Sequence, residues 1–389
     1  MRFESKVIYE LVVGLSLMLL SCINNNSERI TPEFADYIVD DNIHGTASIY
    51  CYDLDNDGDI DILGAVLEDN AIVYWQNNGA KPINWKREII DSQFIAAMSV
   101  YAADVDGDKD MDVIGAAGGQ SEISLWINEG NEPIIWKKQI IREDFLFAHE
   151  VYANDLDLDG DADILGVSTM LNRISWWENR GGNPINWAEQ TIDSSFMGAK
   201  SVRVADFDGD GDMDIVGAAL DGNEIAWWRN NGGNPILWKK YLIDSSFKGA
   251  HRVQAIDMDG DGDKDILAAA YLGNTIAWWE NMKGKPLSWG KHIIDDNFVR
   301  ACIAYAADLD NDGDQDVIGS AQDGNEIAWW RNESQNGLIQ WSKCHIDSLQ
   351  RAWPLDCCDL DSDNDIDIIA GSGWKGVNKV KFYKNLLLN

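Results

Sequence analysis

Asp206-Phe207-Asp208-Gly209-Asp210-Gly211-Asp212-Met213-Asp214-Ile215 sets five carboxylates at alternate positions over nine residues and then runs directly into the apolar segment Ile215 to Ala219. The same nonapeptide begins at Asp53, Asp104, Asp155, Asp257, Asp308 and Asp359, so seven copies stand at a constant interval of 51 residues. A fixed period of this size marks a repeat architecture. Two further series keep step. An aromatic residue with Asn two positions later recurs as Trp75/Asn77, Trp126/Asn128, Trp177/Asn179, Trp228/Asn230, Trp279/Asn281, Trp330/Asn332 and Tyr383/Asn385, and a second Trp recurs at 85, 136, 187, 238, 289 and 341. With the extra Trp of the Trp-Trp pairs, these series account for every Trp except Trp353 and Trp374. Such recurrence points to packing between repeats.

Within one repeat, short apolar segments separated by turn residues read as four strands. In the fourth they are Val202 to Ala205, Asp214 to Ala219, Glu224 to Trp228 and Trp238 to Ile243, joined by the Asp loop, a turn at Asp221-Gly222-Asn223 and a turn at Asn231-Gly232-Gly233-Asn234-Pro235. Asp-Gly and Gly-Asn pairs supply the positive φ angles of tight hairpins. Four strands in about 40 to 50 residues is one propeller blade, so the sequence predicts an all-β, seven-bladed β-propeller. The seventh unit stops after Phe382-Tyr383-Lys384-Asn385 and lacks its outer strand. Phe34 lies 51 residues before Trp85, with Ile38 and Asp40 matching Ile89 and Asp91, so Phe34 to Val39 is expected to complete the last blade and close the ring. Domain limits follow: residues 1–21 as an export signal, 22–33 as a tether and 34–389 as one propeller.

Composition bounds the rest. The 389 residues carry 31 Lys+Arg against 66 Asp+Glu, a net charge of -35, which excludes a phosphate-binding groove and hence a nucleic-acid partner. An apolar fraction of 45% is too high for a disordered acidic chain. At the N-terminus Arg2 and Lys6 precede the ten-residue apolar run Leu11 to Leu20, the length of a signal-peptide core and too short to span a bilayer. No apolar run of spanning length follows residue 22, so the mature part is expected to be soluble. Without Cys22 the remaining Cys51, Cys302, Cys344, Cys357 and Cys358 are odd in number, which argues against a disulfide scaffold; Cys51 and Cys357 stand where other repeats have Ala or Val and read as small core residues.

The Asp loops carry the chemistry. The carboxylates are Asp53, Asp55, Asp57, Asp59 and Asp61; Asp104, Asp106, Asp108, Asp110 and Asp112; Asp155, Asp157, Asp159, Asp161 and Asp163; Asp206, Asp208, Asp210, Asp212 and Asp214; Asp257, Asp259, Asp261, Asp263 and Asp265; Asp308, Asp310, Asp312, Asp314 and Asp316; and Asp359, Asp361, Asp363, Asp365 and Asp367. Converging at this spacing they repel one another unless a cation sits among them, and all-oxygen donors suit Ca²⁺. Up to seven ions are expected, and seven would bring the net charge from -35 to -21. An EF-hand needs Glu at position 12, where this chain has Gly64, Gly115, Gly166, Gly217, Ala268, Gly319 and Ala370, so that motif is excluded. Position 6 calls for a left-handed backbone and is Gly in five loops, Lys109 in the second and Asn364 in the seventh, which makes the second site the weakest expected.

The repeat resembles the FG-GAP/VCBS repeats of integrin-α-type β-propellers, and the strand Ile225-Ala226-Trp227-Trp228-Arg229-Asn230 is similar to repeats of bacterial surface proteins and of a seven-bladed fungal lectin. The resemblance covers Phe34 to Asn385. It implies calcium held by the Asp side chains at positions 1, 3, 5 and 9 and the backbone carbonyl of position 7, hence Asp206, Asp208, Asp210, Asp214 and the backbone of Asp212 in the fourth blade, with equivalents in the others. Leu19-Leu20-Ser21-Cys22 resembles a bacterial lipobox, which implies lipidation at Cys22 and an exported lipoprotein at the outer membrane or cell surface, touching the membrane through its lipid alone; the propeller itself is expected to be monomeric.

Departures from the repeat suggest where a partner binds. Six residues before each first Asp the chain carries Ala47, Met98, His149, Lys200, His251, Cys302 and Trp353. This position begins the innermost strand, so the seven side chains are expected to ring the channel mouth opposite the Asp loops, with Arg300 and Arg351 two residues earlier in their blades. His149, Lys200, His251, Arg300 and Arg351 then read as donors and Trp353 as a stacking platform for a glycan or protein ligand. The reading is a calcium-stabilised surface binding and adhesion module. The alternative is a carbohydrate-active lyase or hydrolase using His149 or His251 as base, although G-x-S-x-G and H-E-x-x-H are both missing.

Overall fold

The computed structural model describes residues 32–130, 133–284, 286–334 and 339–387, and the segment 1–31, with Cys22 and the expected signal, lies outside them. Seven four-stranded antiparallel sheets form the blades of a seven-bladed propeller, and no helix occurs among the described residues. In the fourth blade the strands run from the inner Ala199–Ala205 through Asp214–Ala219 and Glu224–Asn230 to the outer Trp238–Asp244, each paired with the next. The strand Phe34–Asp40 pairs antiparallel with Val380–Asn385, Phe34 opposite Asn385, and closes the last blade as its outer strand.

Alternation along the strands decides the core. Trp75, Trp126, Trp177, Trp228, Trp279 and Trp330 are all at most 2% exposed, each between its own blade and a neighbour. A Phe from the preceding exit loop meets the ring edge-on, as Phe196 meets Trp228 with centroids 4.8 Å apart and planes at 87°. The Trp also accounts for Gly at position 12 in five blades: a Cβ on Gly64 would lie 2.7 Å from Trp75 Cζ3, closer than real Cβ contacts, although the fifth blade accommodates Ala268 beside Trp279. The outer-strand series, Trp85 to Trp341, is half-buried along the same interfaces. All five cysteines in the propeller are free; Cys51 and Cys357 are partly buried and pack against the cores between blades.

Each of the seven blade junctions carries an ion pair. Asp91 meets Lys138 at 3.2 Å, Asp193 meets Lys240 at 3.3 Å, Asp244 meets Lys291 at 2.7 Å and Asp295 meets Lys343 at 3.6 Å. At the seam Asp40 meets Arg87 at 3.0 Å, and Asp347 meets Lys381 at 2.8 Å. The junction of blades two and three is inverted: Arg142 stands in the acid's place and Glu189 in the base's, 3.3 Å apart. Glu189→Lys is expected to destabilise the fold, and adding Arg142→Asp to restore it, with a coupling of about 0.5 to 1 kcal/mol since the pair is partly exposed. Chemical denaturation of the two single variants and the double variant measures it; additive effects would show that the pair does not couple.

Candidate functional site

An up-and-down blade sends its Asp loop and its outer hairpin to one face of the ring, and the middle hairpin and exit loop to the other. The Asp loop is built by its own carboxylates. Position 1 accepts a hydrogen bond from the amide of position 6 in all seven loops, as Gly211 N donates to Asp206 Oδ2 at 2.9 Å and Lys109 N to Asp104 Oδ2 at 3.1 Å. Position 5 accepts from position 7 in the same way, Asp212 N to Asp210 Oδ1 at 3.0 Å. Position 6 has positive φ throughout, from 69° at Asn364 to 100° at Gly160, with Lys109 at 80°. Position 4 is left-handed too, including Leu158 at 60°, although its residue types gave no uniform signal.

Position 9 has a structural task beyond any ligand. Asp214 is fully buried; its Oδ2 accepts from Phe207 N at 3.3 Å and its Oδ1 from Asn230 N at 2.8 Å, and the other six loops repeat both bonds. The Asn side chain then reaches the adjacent blade: Asn128 Nδ2 donates to Leu54 O, Asn179 Nδ2 to Val105 O and Asn281 Nδ2 to Phe207 O. Each Asp loop is thereby tied to a neighbouring one. Burial, the largest cause, pushes the carboxyls of Asp61, Asp112, Asp163, Asp214 and Asp316 up to about 7, that of Asp265 to about 6 and that of Asp367 to about 8.

Oxygen atoms of Asp53/Asp55/Asp57, Asp104/Asp106/Asp108, Asp155/Asp157/Asp163, Asp206/Asp208/Asp210 and Asp257/Asp259/Asp265 converge, all within 4.8 Å of one another in each group. Asp53 Oδ1 and Asp257 Oδ1 are sealed from solvent without a hydrogen-bond partner. Burial, and then the neighbouring carboxylates, raise the position-3 acids Asp106 and Asp157. The position-7 side chains Asp59 and Asp110 instead lie against the outer hairpin at Gly79 and Gly130. An all-oxygen set with unanswered negative charge is the donor chemistry of a hard divalent cation.

At the other end of the channel, Ala47, Met98, His149, Lys200, His251 and Trp353 do come together, but they fill the mouth rather than line a pocket, leaving about 20 Å³. His149 Nδ1 donates to Lys200 O at 3.0 Å and its Nε2 accepts from Lys200 Nζ at 2.7 Å, so neither ring nitrogen is open to a substrate. His251 Nδ1 donates to Cys302 O at 2.9 Å, and its ring stands 6.2 Å from both His149 and Trp353. Burial and then the Lys200 charge lower both imidazoles, His251 to about 3, and burial lowers Lys200 to about 8. Arg300 and Arg351 lie on the rim, where both pair with Asp323, at 3.5 and 3.2 Å, and Arg300 stacks on Tyr271.

The channel is open instead toward the Asp loops, in a cavity of about 320 Å³ lined by Tyr50, Tyr152, Arg203, Gln254, Tyr305 and Asp356. Beneath it the buried Glu150 is balanced by Arg203 at 3.1 Å and Arg252 at 2.5 Å. These lining residues belong to another 51-residue series, at 50, 101, 152, 203, 254, 305 and 356, which the sequence reading passed over. A third series is the residue between the aromatic and Asn: Gln76, Ile127, Glu178, Arg229, Glu280 and Arg331 at 51-residue intervals, and Lys384 after Tyr383. Both vary as much as the mouth position, so variation alone does not single out the mouth as the binding site.

The model of the FG-GAP-like repeat matches six overlapping stretches, residues 53–115, 104–166, 155–217, 206–268, 257–319 and 308–370. No curated protein sequence matches the chain significantly. Among solved structures, a lectin of Agrocybe aegerita that recognises non-reducing terminal N-acetylglucosamine is similar at 19% identity and TM-score 0.52, over 82% of this chain and 81% of the lectin. BBS1N, solved in complex with ARL6DN, is similar at 11% identity and TM-score 0.57, over 91% of this chain and 97% of BBS1N. At these identities the likeness is one of fold.

Proposed function

The chain belongs to the FG-GAP-like repeat family, and from that premise we propose that it is an exported, calcium-stabilised propeller serving as a cell-surface binding and adhesion module for a glycan or protein ligand. Calcium would be held by the side chains at positions 1, 3, 5 and 9 and the carbonyl of position 7; it supplies the positive charge that lets these carboxylates share one loop. The N-terminal motif ending at Cys22 supports export and lipid anchoring. A lectin and a protein-bound propeller among the structural neighbours support binding as the general task.

The observation that carries the ligand proposal is the rim opposite the Asp loops. In a chain of net charge -35 it gathers Arg300 and Arg351 around Asp323, Tyr271 and Trp353, with Leu272, Val299 and Trp374 exposed at 51%, 43% and 48%. Aromatic faces beside charged donors and an acceptor suit a sugar ring or an apolar-polar protein surface. His149, Lys200 and His251 form the packed floor beneath. A glycan array that includes N-acetylglucosamine-terminated glycans, followed by calorimetry on the strongest binder, tests this. Arg300→Ala, Arg351→Ala and Trp374→Ala combined are expected to weaken binding at least tenfold at unchanged melting temperature. Binding unaffected by the triple change would place the ligand elsewhere, and product formation on a bound glycan would reverse the choice of binder over enzyme.

A further inference from the structure

The residue between Trp and Asn on the third strand lies beside the Asp loop of its own blade, and its charge differs from blade to blade. Arg229 Nε stands 2.6 Å from Asp208 Oδ2 and its Nη2 2.8 Å from Asp210 Oδ2. Arg331 Nε stands 2.8 Å from Asp310, both side chains at most 10% exposed. Lys384 Nζ contacts both Asp361 and Asp363, the latter at 2.7 Å. In blades four, six and seven the chain thus places its own cation on carboxylates that calcium would use, positions 3 and 5 in two of them and position 3 in the third.

Among the described residues, the third strands of the other four blades bring no cation onto their own Asp loops. Gln76 donates to Asp55 Oδ2 at 2.5 Å without bringing charge, and Ile127 is buried and apolar. Glu178 and Glu280 add negative charge and turn to Arg180 at 3.0 Å and His292 at 2.8 Å. Lys283, 58% exposed, reaches Asp261 and Asp263 of the fifth loop from solvent, touching positions 5 and 7, and a side chain so exposed is easily displaced.

We infer that the seven loops are of two kinds: blades four, six and seven are closed by a tethered Arg or Lys, and calcium is taken up by blades one, two, three and five. The inference rests on reading the loops as calcium sites. A divalent ion entering a closed loop must displace the tethered cation from its carboxylates and then sit beside it, which costs both an ion pair and like-charge repulsion. For Arg331 it must also disturb a buried side chain. The closed loops are stabilised without metal, so blades six and seven form a calcium-independent stretch and blades one to three a calcium-dependent one, while blade four is closed between the open blades three and five.

Equilibrium dialysis of the folded chain against about 2 mM calcium, with the bound metal counted by mass spectrometry, reads this directly. About four ions per chain are expected, with any remaining uptake at least tenfold weaker. Arg229→Gln, Arg331→Gln and Lys384→Gln together are expected to raise the count toward seven. Glu178→Arg with Glu280→Arg is expected to lower it toward two, and circular dichroism monitors folding of each variant. Seven equivalent ions in the unaltered chain, or a count that neither variant set moves, would overturn the two-class inference while leaving the calcium reading intact. No saturable calcium in any variant would overturn the calcium reading itself.

Discussion

Chelation with EGTA is expected to lower the unfolding free energy of this propeller by several kcal/mol, and addition of calcium, but not of magnesium, to restore it. Binding to the folded state alone stabilises by RT ln(1 + [L]/Kd) per site, about 0.7 to 1.8 kcal/mol at about 2 mM calcium if dissociation constants lie in the extracellular range of about 0.1 to 1 mM. Four occupied loops then contribute about 3 to 7 kcal/mol, and seven would contribute about 5 to 13. Magnesium demands near-octahedral geometry and gives up its water reluctantly, so loops of this size suit it poorly. The expected fall in melting temperature is about 5 to 15 °C. Differential scanning calorimetry with EGTA, calcium or magnesium measures it, and an unchanged melting temperature on chelation would remove calcium from the account of stability. Four ions bring the net charge from -35 to -27, so the chain stays strongly acidic even when loaded.

The fold was legible because the repeat states it seven times: the interval of 51 residues fixes the blade count, and Phe34, Ile38 and Asp40 fix the seam before any strand is seen. The loops were legible as converging carboxylates but not in the structural task of their last Asp. That Asp214 clasps Asn230 follows from pairing the second strand with the third, which brings residues 16 apart in sequence into hydrogen-bond range. The same pairing sets Arg229 on Asp208 and Asp210, 21 and 19 residues away, so a series that looked like surface variation becomes a set of counter-charges. The channel mouth is filled by its own side chains. Its radius is set by side-chain packing across seven blades: Lys200 folds onto His149 and His251 onto Trp353, contacts 51 and 102 residues apart that no local pattern encodes.

Removing residues 32–41 is expected to abolish the monomeric fold, whereas Asp40→Ala alone should weaken it. The strand Phe34–Asp40 covers the edge Val380–Asn385 over its whole length, and Tyr37 stacks on Phe382 at 5.8 Å. Without it that edge shows unpaired N–H and C=O groups beside buried aromatics, a template for pairing with another chain. Asp40 adds the junction to blade one, where Trp75 Nε1 donates to its Oδ2 at 2.9 Å and Arg87 Nη1 at 3.0 Å. Hydrogen bonds to a charged group are worth about 1.5 to 3 kcal/mol each, so Asp40→Ala is expected to cost about 3 to 6 kcal/mol. If Lys384 closes the loop of blade seven as inferred, calcium is not expected to rescue the deletion. A synthetic peptide of residues 32–42 is expected to do so, since it restores the same pairing from outside, as strand addition does in other sheets. Size-exclusion chromatography with light scattering, with and without the peptide, reads the outcome. A monomeric, cooperatively folding deletion variant would mean that the blades close the ring without their seam.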